Sequence, residues 1–476
     1  MGFADYVEYD GLGLAELIRR KEVSASEVLE AAIERVERHN PRLNAVVYKA
    51  YDEARAQAAR PLAAAPFGGV PFLLKDLNLN VAGMPRTDGS VALRQRVPTE
   101  DAELVKRQRA AGLVIFGKTN TPEFGITGTT EGRLFGPCRN PWNPDHIAGG
   151  SSGGAASAVA SGMVPLAHAS DGLGSIRIPA SCCGLFGLKI SRDRNPWYPE
   201  DVMRALPLSV HHCVSRSVRD SAALLDATGG AETRAPWAAP PKERPYLEEV
   251  GRTPTRLRVA FSSERPDGKP LHPEVKAALE STAKLVEALG HTVEERALPL
   301  NQALLYLALG PVSAANMAAS VAEVAELLGR ELREEELEPL TWSIVKRGRS
   351  VSGEQVMRGM RWLQKLVREA AALFDEFDVY LTPVTGTPPP RIGHIDPLNP
   401  DPTELNQRQA ESFPFSPPFN MTGQPAMSVP LAWSGDGLPL GMQFAARYGD
   451  EGTLFRLAGQ LEEARPWRQR RPAVWG

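Results

Sequence analysis

Three residues have the types and settings that acyl transfer needs: Lys75, Ser151 and Ser175. Lys75 closes the apolar run Gly69-Val70-Pro71-Phe72-Leu73-Leu74. An ammonium at the end of a buried strand is costly unless it is paired or neutral. Desolvation lowers a lysine's pKa, and the neutral amine can act as a general base near neutral pH. Taken alone, the local sequence favours the plainer reading, a strand-end lysine paired with Asp76 or Asp171. Ser151 and Ser175 stand 24 positions apart, each inside its own Gly/Ser cluster. Gly-rich loops can turn successive backbone N–H groups toward one point, where an oxyanion would develop.

These residues need a scaffold to bring them together. Gly149 to Gly162 reads as a Gly-rich loop opening a closely packed helix. Met163 to Ala169 reads as a short buried strand, and Ser170 to Ser175 as a second Gly-rich turn at its end. Asp171 and Arg177 bracket that turn and could clamp it as a buried ion pair. Ser24 to Glu27 fits a capping box, with Val28, Ala32, Ile33 and Val36 following at helical spacing. His39-Asn40-Pro41 predicts the end of that helix. Further strands are predicted at 69–76, 113–116, 257–261, 291–298, 379–383, 426–432 and 442–447, and helices at 102–111, 214–228, 273–289, 303–370 and 452–464. Residues 229–255 read as a linker or long surface excursion. The unit at 257–298 is either a subdomain or an edge of the same sheet. This alternation predicts an α/β fold with a single large mixed sheet covered by helices on both faces.

Other motifs compete for attention. Gly149-Gly150-Ser151-Ser152-Gly153 matches G-x-S-x-G by letters, which would require a His and an acid later in the chain. The eight histidines have no evident catalytic setting. A phosphate-binding G-x-x-x-x-G-K-[ST] is absent. Ser281 and Lys284 form S-x-x-K in the middle of a charged helix, which reads as chance. His211-His212-Cys213 could suggest a metal, but neighbours on one strand face opposite ways.

The totals narrow the function classes. Net charge is −3, from 54 basic and 57 acidic residues, so no nucleic-acid footprint is expected. The stretch 147–170 lacks Asp, Glu, Lys and Arg, but its Gly, Ser, Pro165 and His168 are too polar for a membrane span. The first residues carry early acids and no apolar core of a secretory signal. Cys182 and Cys183 are adjacent among four cysteines, which reads as reduced, buried thiols. The expectation is a cytoplasmic protein.

GVPFLLKD around Lys75, GGSSGG around Ser151 and GSIRIPASCCGLFGLK from Gly174 together resemble the amidase signature family. The likeness extends to GKTNTPEFG, RNPW, SVRDSAALLD and PFNMTGQPAMSVPL, and so to nearly the whole chain, 1–476. Its core motifs span 69–194, with an insertion or subdomain expected within 229–375 and closing strands and a helix in 376–476. Within that family the chain resembles the nylon-oligomer hydrolases that open 6-aminohexanoate cyclic dimer. The resemblance implies a Ser–cis-Ser–Lys triad: Ser175 as nucleophile, Ser151 as bridging serine on a cis peptide, Lys75 as neutral base. It implies an oxyanion hole from the N–H groups of Gly172, Leu173, Gly174 and Ser175. Gly125, Ile126 and Thr127 would line the substrate site, and Ser152, Asp171 and Arg177 would support it. Neither metal nor cofactor is expected. The implied partner is a small amide, with a homodimer among the allowed assemblies. The alternative is the amidase-like subunit of a tRNA-dependent amidotransferase. Two departures stand out. Leu173-Gly174 replaces the usual pair of glycines before the nucleophile, and a leucine would be strained there if φ were positive. Residues 189–194 lack the usual proline and glycine of the following turn.

Overall fold

The computed structural model describes residues 3–475 apart from 62–63, 201–205, 207 and 266. Eleven strands form one mixed sheet. In chain order they are β1 (Val46–Lys49), β2 (Pro71–Lys75), β3 (Val114–Thr119), β4 (Leu166–Asp171), β5 (Phe186–Lys189), β6 (Val210–Ser215), β7 (Arg258–Phe261), β8 (Thr292–Glu295), β9 (Val379–Pro383), β10 (Ala426–Trp433) and β11 (Pro439–Ala446). Their order across the sheet is β1-β3-β2-β4-β6-β5-β10-β11-β9-β7-β8. Every residue of β2, β3, β4, β6 and β11 is buried, so both faces of these strands are covered by helices.

The register places the site. β2 runs parallel to both β3 and β4, with Leu73 opposite Ala167. Parallel strands send their carboxyl ends to one edge, where open α/β sheets place their ligands. Lys75 ends β2 and Asp171 ends β4, so both emerge on that edge. Helix Gly153–Ala160 starts directly after the Ser151 cluster and is buried throughout. Helix Arg177–Cys183 starts directly after the Ser175 turn and is also wholly buried.

Several predicted boundaries move. Helix Ala25–Leu43 carries the expected Ser24–Glu27 capping box, but it runs through Pro41 to a left-handed cap at Asn44. Pro41 lies in the last turn, where a missing N–H removes only one intrahelical bond. The predicted helix at 214–228 starts at Val218, and β6 occupies the residues before it. β7 and β8 extend the main sheet beside β9, which settles the 257–298 unit as a sheet edge. Residues 303–370 divide into helices Gln302–Leu328, Pro339–Arg349 and Gly353–Ala371. Helix Gln302–Leu328 is long and apolar enough to cross a membrane by length and composition, and it packs along the other two.

Candidate active site

Lys75 Nζ lies 2.7 Å from Ser151 Oγ, 2.9 Å from Ser152 Oγ and 3.0 Å from Ser170 Oγ. The lysine is fully buried. The carboxylates that the local sequence offered it are engaged elsewhere. Asp76 pairs with Lys118 at 3.4 Å and accepts the Thr87 hydroxyl at 2.5 Å. Asp171 pairs with Arg177 at 2.9 Å. Burial therefore dominates, and it pushes the Lys75 ammonium down to about 7 against the opposing pull of the Asp171 charge.

The hydroxyls around the amine are not equivalent. Ser152 directs its own O–H to the Ser170 carbonyl at 3.1 Å, so toward Lys75 it is an acceptor. Behind the strand, the Lys75 backbone N–H donates to His168 Nδ1 at 3.2 Å. That leaves the proton on His168 Nε2, which faces His211 Nδ1 at 3.0 Å. Burial holds both imidazoles far below their usual pKa, His211 at about 3, so no cation builds up behind the lysine.

The Gly150–Ser151 peptide is cis. Gly150 packs so closely on the Thr129 backbone that a Cβ there would lie 2.4 Å from the carbonyl oxygen. Across the site, Gly125 abuts Ser151, with a Cβ position 3.1 Å from its Oγ. Ile126 is half-buried beside it, while Thr127 turns its hydroxyl to the Thr129 carbonyl at 2.9 Å.

Ser175 lies in the turn between β4 and helix Arg177–Cys183 and is half-buried. Its hydroxyl has no hydrogen-bond partner among the described residues, so the Lys75–Ser151 contact is closed and the Ser151–Ser175 contact is not. The turn is tied down by Asp171. Its carboxylate accepts the N–H of Gly174 at 2.7 Å and of Ile176 at 3.1 Å, besides the guanidinium of Arg177. Burial alone would raise this carboxyl, but Arg177 beside it holds it well below the usual carboxylate range. The N–H groups of Gly172, Leu173 and Ser175 take no acceptor among the described residues. The expected four-amide oxyanion hole is thus reduced to three available donors, because the Gly174 N–H is spent on Asp171. Leu173 is not at positive φ; Gly174 is, at +129°. The leucine therefore fits without left-handed strain, and its side chain is 38% exposed.

The family model for Amidase matches residues 27–455. The chain belongs to the amidase signature family. It is a hydrolase of carbon–nitrogen bonds other than peptide bonds. It is 38% identical over 480 aligned residues to the 6-aminohexanoate-cyclic-dimer hydrolase of Paenarthrobacter ureafaciens, covering 98% of this chain and 96% of the relative. A solved structure of 6-aminohexanoate cyclic dimer hydrolase superposes with a TM-score of 0.92 at 37% identity, covering 98% of this chain and 99% of that one. One component of the glutamyl-tRNA(Gln) amidotransferase from Thermotoga maritima superposes less well, with a TM-score of 0.77 at 27% identity over 98% and 97% of the two chains.

Four residues of this amidase site were not singled out from sequence. Ser170 touches the lysine. Asn420 accepts from Arg177 at 2.5 Å and donates to Asp171 at 2.8 Å. Gln443 accepts from Arg177 at 2.6 Å, and the Ser416 carbonyl accepts at 2.9 Å. Asn420 falls inside PFNMTGQPAMSVPL, so a signal was present; Gln443 had none. The 189–194 segment, which departs from the family pattern, places Asp193 at φ +60° and hooks Arg192 onto the carbonyls of Asn420 and Met421. His211 and His212 point apart, His212 to Ser221 at 2.8 Å, and no three-residue metal cluster forms among the described residues. Ser281 and Lys284 are exposed on their helix.

Proposed function

We propose that this amidase cleaves linear and cyclic amides, 6-aminohexanoate oligomers among them, through a Ser175 acyl-enzyme driven by neutral Lys75 by way of Ser151. The observation that carries the reading is the fully buried Lys75 amine, pushed down to about 7 and set 2.7 Å from Ser151 Oγ. A protonated Lys75 has three N–H donors for three hydroxyls. A neutral one has two donors and a lone pair. Ser152 must take one N–H, since its own proton is committed to the Ser170 carbonyl. With Ser170 taking the other, the lone pair faces Ser151. Ser170 is therefore a positioning residue that aims the base.

The steps follow from that arrangement. Ser151 gives its proton to Lys75 and takes one from Ser175, whose oxygen attacks the amide carbonyl. The free N–H groups of Gly172, Leu173 and Ser175 then hold the oxyanion. The proton returns through Ser151 to the leaving amine as the C–N bond breaks. Water then gives a proton to the same relay and its oxygen to the acyl carbon. Ser175 recovers its proton as the carboxylic acid leaves. The Ser151–Ser175 hydrogen bond closes when substrate binds, as catalytic hydrogen bonds often do. In this reading Gly125 and Ile126 meet the acyl chain, with Ile126 and Leu173 offering it apolar surface.

Purifying the chain alone and following amine release from 6-aminohexanoate cyclic dimer and small aryl amides tests this reading. Cleavage without any partner protein is expected. Activity that appears only with further subunits would instead support an amidotransferase component.

A further inference from the structure

A cavity of about 410 Å³ lies away from Lys75, Ser151 and Ser175. Ala160 and Cys183 line it. They are the last residues of the two helices that begin at the site, so the cavity sits at the far ends of both. Most of the rest of its wall comes from residues 7–10 and 462–475, with Arg216, Ser217 and Arg219 between them.

The wall carries five arginines against three carboxylates. Two of the arginines are paired, Arg219 with Asp10 at 2.5 Å and Arg471 with Glu8 at 2.6 Å. Burial, with Asp10 nearby, pushes the third carboxyl, Glu462, up to about 7, so it is only partly ionised near neutrality. Arg216, Arg468 and Arg470 make no ion pair among the described residues, though Asp220 and Asp10 act on Arg216 from a distance and Glu462 on Arg468. Arg216 donates to the carbonyls of Val7 and Tyr9, Arg468 to that of Glu8, and Arg470 lies 4.3 Å over the Trp433 ring. Three guanidiniums crowd the ring of Trp475: Arg471 at 5.3 Å, Arg216 at 5.7 Å and Arg35 at 5.7 Å. Tying the two chain ends together accounts for the contacts to carbonyls. It does not balance the positive charge of the wall, where Arg216, Arg468 and Arg470 make no ion pair among the described residues.

We propose that this cavity binds a small oxyanion of the phosphate or carboxylate type. Such a ligand supplies acceptors and charge to the guanidiniums that have no ion pair, and arginine forks suit planar or tetrahedral oxyanions.

Calorimetry on the intact chain with inorganic phosphate and with adipate, each against chloride at equal ionic strength, tests this. Saturable binding of one anion per chain is expected. It should weaken at least about ten-fold in Arg468→Gln/Arg470→Gln, the loss of two charge-assisted contacts. Both side chains are exposed, so that variant keeps its fold and its amidase rate. Phosphate binding alone selects a phosphate ligand, adipate binding alone a carboxylate one, and binding of both a general oxyanion site. No saturable binding of either anion, or equal affinity in the double variant, overturns the proposal.

Discussion

Gly174 donates its backbone N–H to the Asp171 carboxylate at 2.7 Å, one residue before Ser175. This bond orients the Ser175 turn and removes one amide from the proposed oxyanion hole. Arg177 completes the clamp, held in turn by Asn420, Gln443 and the Ser416 carbonyl. Asp171→Asn keeps the shape but leaves Arg177 a buried, uncompensated charge. A loss of about 3 to 5 kcal/mol is expected in chemical denaturation, together with most of the activity. The folded pKa of Asp171 lies below its unfolded value. Its stabilisation is therefore present above pH 3.8 and fades only as pH falls through the lower folded value. The variant's deficit against wild type should persist across the neutral range and shrink in strong acid.

Gly174 is the position where the turn demands glycine. At φ +129°, an added Cβ would stand 2.7 Å from both Ile178 Cδ1 and Ser416 Cβ. Gly174→Ala should destabilise by about 1 to 3 kcal/mol and cut turnover far more than it alters substrate affinity. Leu173→Gly, one residue away, should leave stability within about 1 kcal/mol, since Leu173 is not at positive φ. Thermal unfolding and steady-state kinetics on both variants check the contrast.

The base sets the pH dependence. Only neutral Lys75 can accept a proton, and burial brings its pKa to about 7. The rate constant kcat/KM should therefore rise with pH through that value and level off above it. The neighbouring histidines are held neutral throughout, so no second limb from them is expected. A pH–rate profile from acid to about pH 9 shows the difference. A maximum in acid that falls by neutrality would exclude a lysine base.

Ser170 offers a sharper test of how the base is aimed. Ser170→Ala removes one acceptor for the amine and frees its lone pair to turn from Ser151. The expected loss is about ten- to hundred-fold in kcat with KM little changed, a part of what positioned proton transfer supplies. The pH–rate midpoint should also fall, because the ammonium loses a hydrogen bond that favours it. Ser170→Thr keeps the hydroxyl and should recover most of the rate.

Much of the site was legible in the sequence because it breaks local rules. A lysine ending an apolar strand and charges bracketing a Gly-rich turn are costly features, and such features concentrate at functional sites. The alternating pattern also revealed most of the sheet. What escaped notice depends on distant pairing. β6 begins Val210-His211-His212, and His211 stacks on His168 in β4, with ring centroids 5.2 Å apart. Gln443 becomes visible only once β11 carries it to Arg177. Ser170 looked like one more small residue of the turn until the parallel register of β2 and β4 set it against Lys75.

The central claim is tested most directly by trapping the acyl-enzyme, or its fluorophosphonate mimic, and mapping it by peptide mass spectrometry. A single adduct on Ser175 is expected in wild type. It should form more than about 10³-fold more slowly in Lys75→Met and Ser151→Ala, as members of one catalytic unit fail together. An adduct on another residue, or full-speed labelling of Ser175 without Lys75, would contradict it.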